Sequence, residues 1–155
     1  MRMFKLAAVL AATITMTAAE LPTKKWINLA AIKTMVAAAE SEAQKRNVQV
    51  TIVIVDESGN LLFLQKADGA GLNTIQFAQR KARHAAFYKR ASKAGADTLK
   101  NGDHSILAFP EAFPNQGGLP IQVDGQTLGG IGVSGAPSEV DEAIGQVAIN
   151  ALLGK

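Results

Sequence analysis

Gln126-Thr-Leu-Gly-Gly-Ile-Gly-Val-Ser-Gly-Ala-Pro-Ser-Glu-Val-Asp141 sets β-branched Ile131 and Val133 among small residues, then breaks at Gly135 and Pro137. Such alternation suits a pleated strand that another backbone or a flat ligand approaches closely. Ser138 with Asp141 three residues on is a capping-box-like pair, and a helix is expected from there to about Leu153. The segment reads as strand, tight turn, helix. Gly130-Ile-Gly132-Val-Ser-Gly135 also matches the dinucleotide pattern G-x-G-x-x-G. That fingerprint needs a second parallel strand and an acidic residue roughly 20 positions on. Only about one helix of chain follows Pro137, so no βαβ unit can close, and the glycines are read as a means of tight packing.

Upstream, Leu119 to Val123 and the Asp124-Gly125 turn predict a hairpin with this strand. From His104 to Gly118 the chain is irregular, with Pro110, Pro114 and paired glycines around Phe109 and Phe113, the kind of loop that borders sites. Ser92 to Asn101 reads as a short helix stopped by Gly102, and a longer one runs from a cap at Asn73 or Thr74 to about Arg90. Val48 to Val55, the Asp56-to-Asn60 turn cluster and Leu61 to Leu64 form a second hairpin. A first helix is expected from about Lys24 to Arg46. One of its stripes is Ile27, Ala31, Met35 and Ala38; the other is Leu29, Ile32, Val36, Ala39 and Ala43. Two stripes imply two packing partners: either the domain's own elements supply both, or one is a neighbouring subunit in a homo-oligomer. The order of elements gives an α+β class, a single layered domain with a mostly antiparallel sheet of about five strands packed with helices.

The N-terminus carries Arg2 and Lys5, an apolar run from Leu6 to Met16, and Thr17-Ala18-Ala19. Those are the parts of a secretory signal, residues 1–19, leaving a domain of residues 20–155 that is periplasmic or secreted. Removing the leader takes away two of the 16 basic residues and none of the 13 acidic ones, so the formal charge falls from +3 to +1. A nearly neutral chain lacks the concentrated basic surface of a nucleic-acid partner, and no stretch is long enough to span a membrane. With no cysteine, disulfides, thiolate zinc sites and a Cys nucleophile are excluded.

The second helix carries the candidate chemistry. At 100° per residue, Lys81, His84 and Tyr88 fall within about 40° of Phe77, while Ile75, Ala78, Ala82, Ala85 and Ala86 form a separate face expected on the sheet. Two aromatic rings, an imidazole and a cation could hold a flat, anionic, metal-containing ligand; the plainer reading is an exposed amphipathic face. His84 and His104 have no metal-ligand spacing. Asp56 and Asp68 are most simply turn residues, Asp141 and Glu142 first-turn helix charges, and Ser134 lies outside a G-x-S-x-G context. No catalytic constellation appears.

Gly129-Gly-Ile-Gly-Val-Ser-Gly-Ala-Pro137 with Asp141-Glu142 resembles the signature of the GlcG/HbpS family, haem-binding proteins related to the C-terminal domain of PduO. The likeness extends through Thr51-Ile-Val-Ile-Val-Asp56, Gly59-Asn-Leu-Leu62, Asp68-Gly69, Lys81-Ala-Arg83 and Gly117-Gly-Leu-Pro-Ile121, from about Asn28 to Leu153. The resemblance implies an α+β protein that binds haem or a related tetrapyrrole, in sensing, storage or handling; with the leader-like N-terminus, the expectation is an exported protein that assembles into a homo-oligomer. Its rivals are an accessory enzyme, degrading haem or acting in glycolate or propanediol metabolism, and a non-catalytic scaffold. With haem as ligand, His84 is the expected axial ligand to iron and Tyr88, one turn away, the alternative; Phe77 would cover the porphyrin, and Lys81, Arg80 or Arg83 would meet the propionates.

Overall fold

The computed structural model describes residues 18–155, so nearly all of the expected leader lies outside the described residues. An extended lead-in ends at Ile27, which is buried, and is tied down by ion pairs from Lys24 to Glu57 and from Lys25 to Asp124. Helix α1 then spans Leu29–Lys45 rather than starting near Lys24. Its start is fixed by Asn28, whose Oδ1 accepts the Ala31 N–H at 2.8 Å and satisfies one otherwise unpaired amide of the first turn.

Strands β1 (Thr51–Asp56) and β2 (Leu61–Lys66) form the first hairpin. Asp56 shapes its turn, with Oδ1 accepting the N–H groups of Ser58 and Asn60. Helices α2 (Thr74–Tyr88) and α3 (Ser92–Lys100) follow, then a 3₁₀ turn, Ser105–Ala108. Strands β3 (Gly118–Val123) and β4 (Gln126–Ser134) make the second hairpin, and helix α4 spans Ser138–Leu152. Asp124 and Gly125 both have positive φ, the backbone that the Asp-Gly turn signal requires.

The sheet is antiparallel throughout, in the order β2-β1-β4-β3. It therefore has four strands among the described residues, not about five. The stretch between α3 and β3 adds no fifth because Pro110 and Pro114 cannot donate to a ladder and Glu111 sits at positive φ. With no parallel pair in this sheet, the dinucleotide reading of the glycines is also excluded.

Alternation sorts the side chains into two layers. Ile52, Ile54, Ile121, Ile131 and Val133 face a core shared with Ile32, Met35, Val36 and Ala39 of α1 and Ile144 and Ala148 of α4. Both stripes of α1 are thus largely covered within one chain: Ala39 is 0% exposed, and Leu29 is the member left open. Val53 and Val55 face the other way, against Ala78, Ala82 and Ala86 of α2. There β3 and β4 present glycines to the helix. A Cβ on Gly118, Gly130 or Gly132 would lie 2.2, 2.3 or 2.0 Å from a carbonyl oxygen of α2, so helix backbone rests directly on sheet backbone.

Candidate functional site

Helix α2 is positioned by its first and last turns. Thr74 donates its hydroxyl to the Gly71 carbonyl and lies 2.6 Å from the Thr51 hydroxyl, joining the helix start to β1. At the far end Lys89 adopts the left-handed conformation, φ 55°, that stops the helix. Ala78, Ala82, Ala85 and Ala86 are buried, as the alanine face required.

The opposite face is not open. Lys81 is 2% exposed, and its ammonium donates to Asp141 Oδ2 and to the Val133 carbonyl, both at 2.9 Å. Asp141 is equally buried and accepts the Ala136 N–H on its other oxygen at 3.0 Å. Burial pushes the Asp141 carboxyl above its ordinary range, against the pull of Lys81 and the amides. Lys81 is therefore a structural cation joining α2, β4 and α4, which corrects its expected role with propionates. Asp141, expected to be a simple first-turn charge paired with Ser138, is the partner that sequence reasoning missed. Pro137 occupies the cap position, with no side-chain bond.

Residues 109–114 cross the rest of the face as a strap. The Phe113 ring packs on Phe77, centroids 5.6 Å apart, and lies 4.2 Å from the Arg80 guanidinium. Arg83 makes two bonds to Glu111, at 2.7 and 2.8 Å, and a third to the Gly59 carbonyl. This hydrogen-bonded guanidinium holds the Glu111 carboxyl below its usual range. The Phe113 N–H donates to His84 Nδ1 at 2.9 Å, and the Tyr88 hydroxyl donates to the Pro110 carbonyl. His84 is 0% exposed; burial, reinforced by the Arg90 charge, lowers its pKa to about 4. Its Nε2 is buried without a hydrogen-bond partner.

The structure thus brings Phe77, Arg80, Arg83, His84 and Tyr88 together under one strap and takes Lys81 out of the set. Beyond the strap, Tyr88, Arg90, Ile106 and Phe109 line an open cleft of about 340 Å³. Phe109 is 55% exposed, and Leu107 and Phe87 are also open to solvent. Arg90, whose guanidinium lies 5.7 Å from the Tyr88 ring, carries no sequence signal of its own beyond following the helix. His104 stands apart at the start of the 3₁₀ turn, and no group of three or more metal-ligating side chains occurs among the described residues. Ser134 is buried at the end of β4, and Asp68 is exposed.

Comparison with known proteins agrees with this architecture. A family model described as haem degrading protein HbpS-like matches residues 27–150. Protein GlcG of Escherichia coli K12 is 37% identical over 100 residues, 64% of this chain and 75% of that protein. HbpS of Streptomyces reticuli, solved as a double mutant, has a TM-score of 0.78 at 30% identity, covering 92% of this chain and 98% of its own. A PduOC–haem complex has a TM-score of 0.76 at 27% identity, covering 82% and 95% of the two chains.

Proposed function

Because the chain belongs to the HbpS-like family, we propose that it is an exported haem-binding protein whose site lies where the end of α2 meets the strap and the 3₁₀ turn. The observation that carries the reading is fold-wide likeness to a protein solved with haem bound. The cleft at this place has the matching chemistry. Ile106 and Phe109 supply apolar walls for a macrocycle, Arg90 a fixed positive charge for a propionate, and Tyr88 an oxygen able to meet iron. Arg80 and Arg83 are engaged by Phe113 and Glu111, so Arg90 replaces them as the cation assigned to the ligand.

Export belongs to the same proposal and rests on the leader-like residues 1–19. Intact mass of the protein recovered outside the cytoplasm is expected to begin at about Glu20; a full-length cytoplasmic product overturns it. A homo-oligomer is also proposed, with Trp26 and Leu29, 75% and 62% exposed, as the apolar residues a second copy would cover. Sedimentation as a monomer at micromolar concentration overturns the assembly.

Titration of the purified protein with haemin tests the ligand. A shifted, saturable Soret band supports the proposal, and nonspecific haemin aggregation alone refutes it. A second reading, haem degradation, is favoured by the family's own description. Loss of the Soret band with a reductant, accompanied by an open-chain tetrapyrrole product, would establish it.

A further inference from the structure

We infer that Tyr88, not His84, is the side chain this protein offers to haem iron, and that His84 is the positioning residue that holds the Tyr88 ring and the strap. The inference rests on the haem-binding reading and specifies its ligand atom. A neutral imidazole has one in-plane lone pair and one N–H. Here the lone pair is spent: Nδ1 accepts the Phe113 N–H at 2.9 Å, so the ring proton sits on Nε2. For Nε2 to bind a metal, the ring must either become an imidazolate or move its proton to Nδ1. The second course sets two donors against each other and leaves the Phe113 amide unpaired, at a cost comparable to a lost buried hydrogen bond. His84 is also wholly buried, whereas Tyr88 is partly open and lines the cleft.

Tyr88 has the opposite accounting. Its hydroxyl gives its proton to the Pro110 carbonyl, which leaves the oxygen lone pairs uncommitted. Its ring is fixed by His84, centroids 4.9 Å apart, and flanked by Phe87 at 5.4 Å. Ligation then balances simply. The Tyr88 oxygen would bond iron as the phenolate in place of a weak ligand of ferric haemin, its proton would pass to solvent, water would take over the carbonyl of exposed Pro110, and no electron would be transferred.

Two measurements decide the matter, one without haem. In the ligand-free protein, imidazole nitrogen NMR is expected to show His84 protonated at Nε2 and accepting at Nδ1; a proton on Nδ1 overturns the inference. With haemin, the wild type is expected to show a phenolate-to-iron charge-transfer band and phenolate resonance Raman modes. Tyr88→Phe, which preserves the ring, should abolish both and weaken haemin binding at least tenfold, while His84→Gln, whose side-chain oxygen can still accept the Phe113 N–H, retains both. A wild-type spectrum that survives Tyr88→Phe, whether or not His84→Gln changes it, overturns the assignment and leaves haem binding standing. Absence of any saturable Soret shift in the wild type overturns the haem-binding reading, and the assignment with it.

Discussion

The two faces of the sheet are packed on opposite principles. Towards α1 and α4, isoleucine, valine and methionine side chains pack together in one buried core. Towards α2, glycine meets alanine, helix carbonyls nearly touch the strands, and a buried Lys81–Asp141 pair closes one edge. Side-chain packing fails gradually, because neighbours relax around a small change. Backbone-on-backbone packing has no slack, since a single added carbon meets an oxygen that cannot move without the whole helix.

The sharpest way to break this contrast is Gly132→Ala. Its Cβ would lie 2.0 Å from the Ala78 carbonyl oxygen, so a loss of more than about 4 kcal/mol is expected in denaturant unfolding. A fully stable variant would show that α2 is not seated as described. Next is Lys81→Met, which strands a buried carboxylate and should cost about 3–5 kcal/mol. Adding Asp141→Asn, which keeps an acceptor for the Ala136 amide, should recover more than half of it in the same assay.

Acid provides a third test, because the His84 pKa of about 4 lies below its ordinary 6.5. Between these values the unfolded chain binds a proton that the folded chain refuses, so stability falls as pH drops from about 6.5 to about 4. On the order of 3 kcal/mol is expected. A stability-against-pH curve for His84→Gln should be flatter over that window. Smallest is Ile131→Val on the side-chain face, at about 1 kcal/mol by thermal unfolding. If it proved as damaging as Gly132→Ala, the difference between the faces would vanish.

What could be read from the sequence follows the same division. Local chemistry was legible: the Asp124-Gly125 turn, the alanine face of α2 and the close-packing glycines are periodic or short-range signals, and each is found where it was expected. The candidate site was legible only as a helix face. Periodicity assigns Phe77, Lys81, His84 and Tyr88 to one side, but does not say what lies over it. Lys81 finds its partner 60 residues away, and the strap comes from a segment whose prolines erase any period. His84 was expected to be an iron ligand because an imidazole was present; the state of its lone pair depends on the amide of Phe113, 29 residues distant.

The strand order carries a consequence for how the chain folds. The two central strands, β1 at Thr51–Asp56 and β4 at Gln126–Ser134, pair across most of the domain, so the middle of the sheet can close only after its C-terminal third is available. Closing a loop of that length before any contact rewards it makes folding slow relative to helical domains of this size. The early β1–β2 hairpin is marginal by itself. Under the proposed export, a chain that cannot complete its core until its last strand is available would stay threadable during that interval.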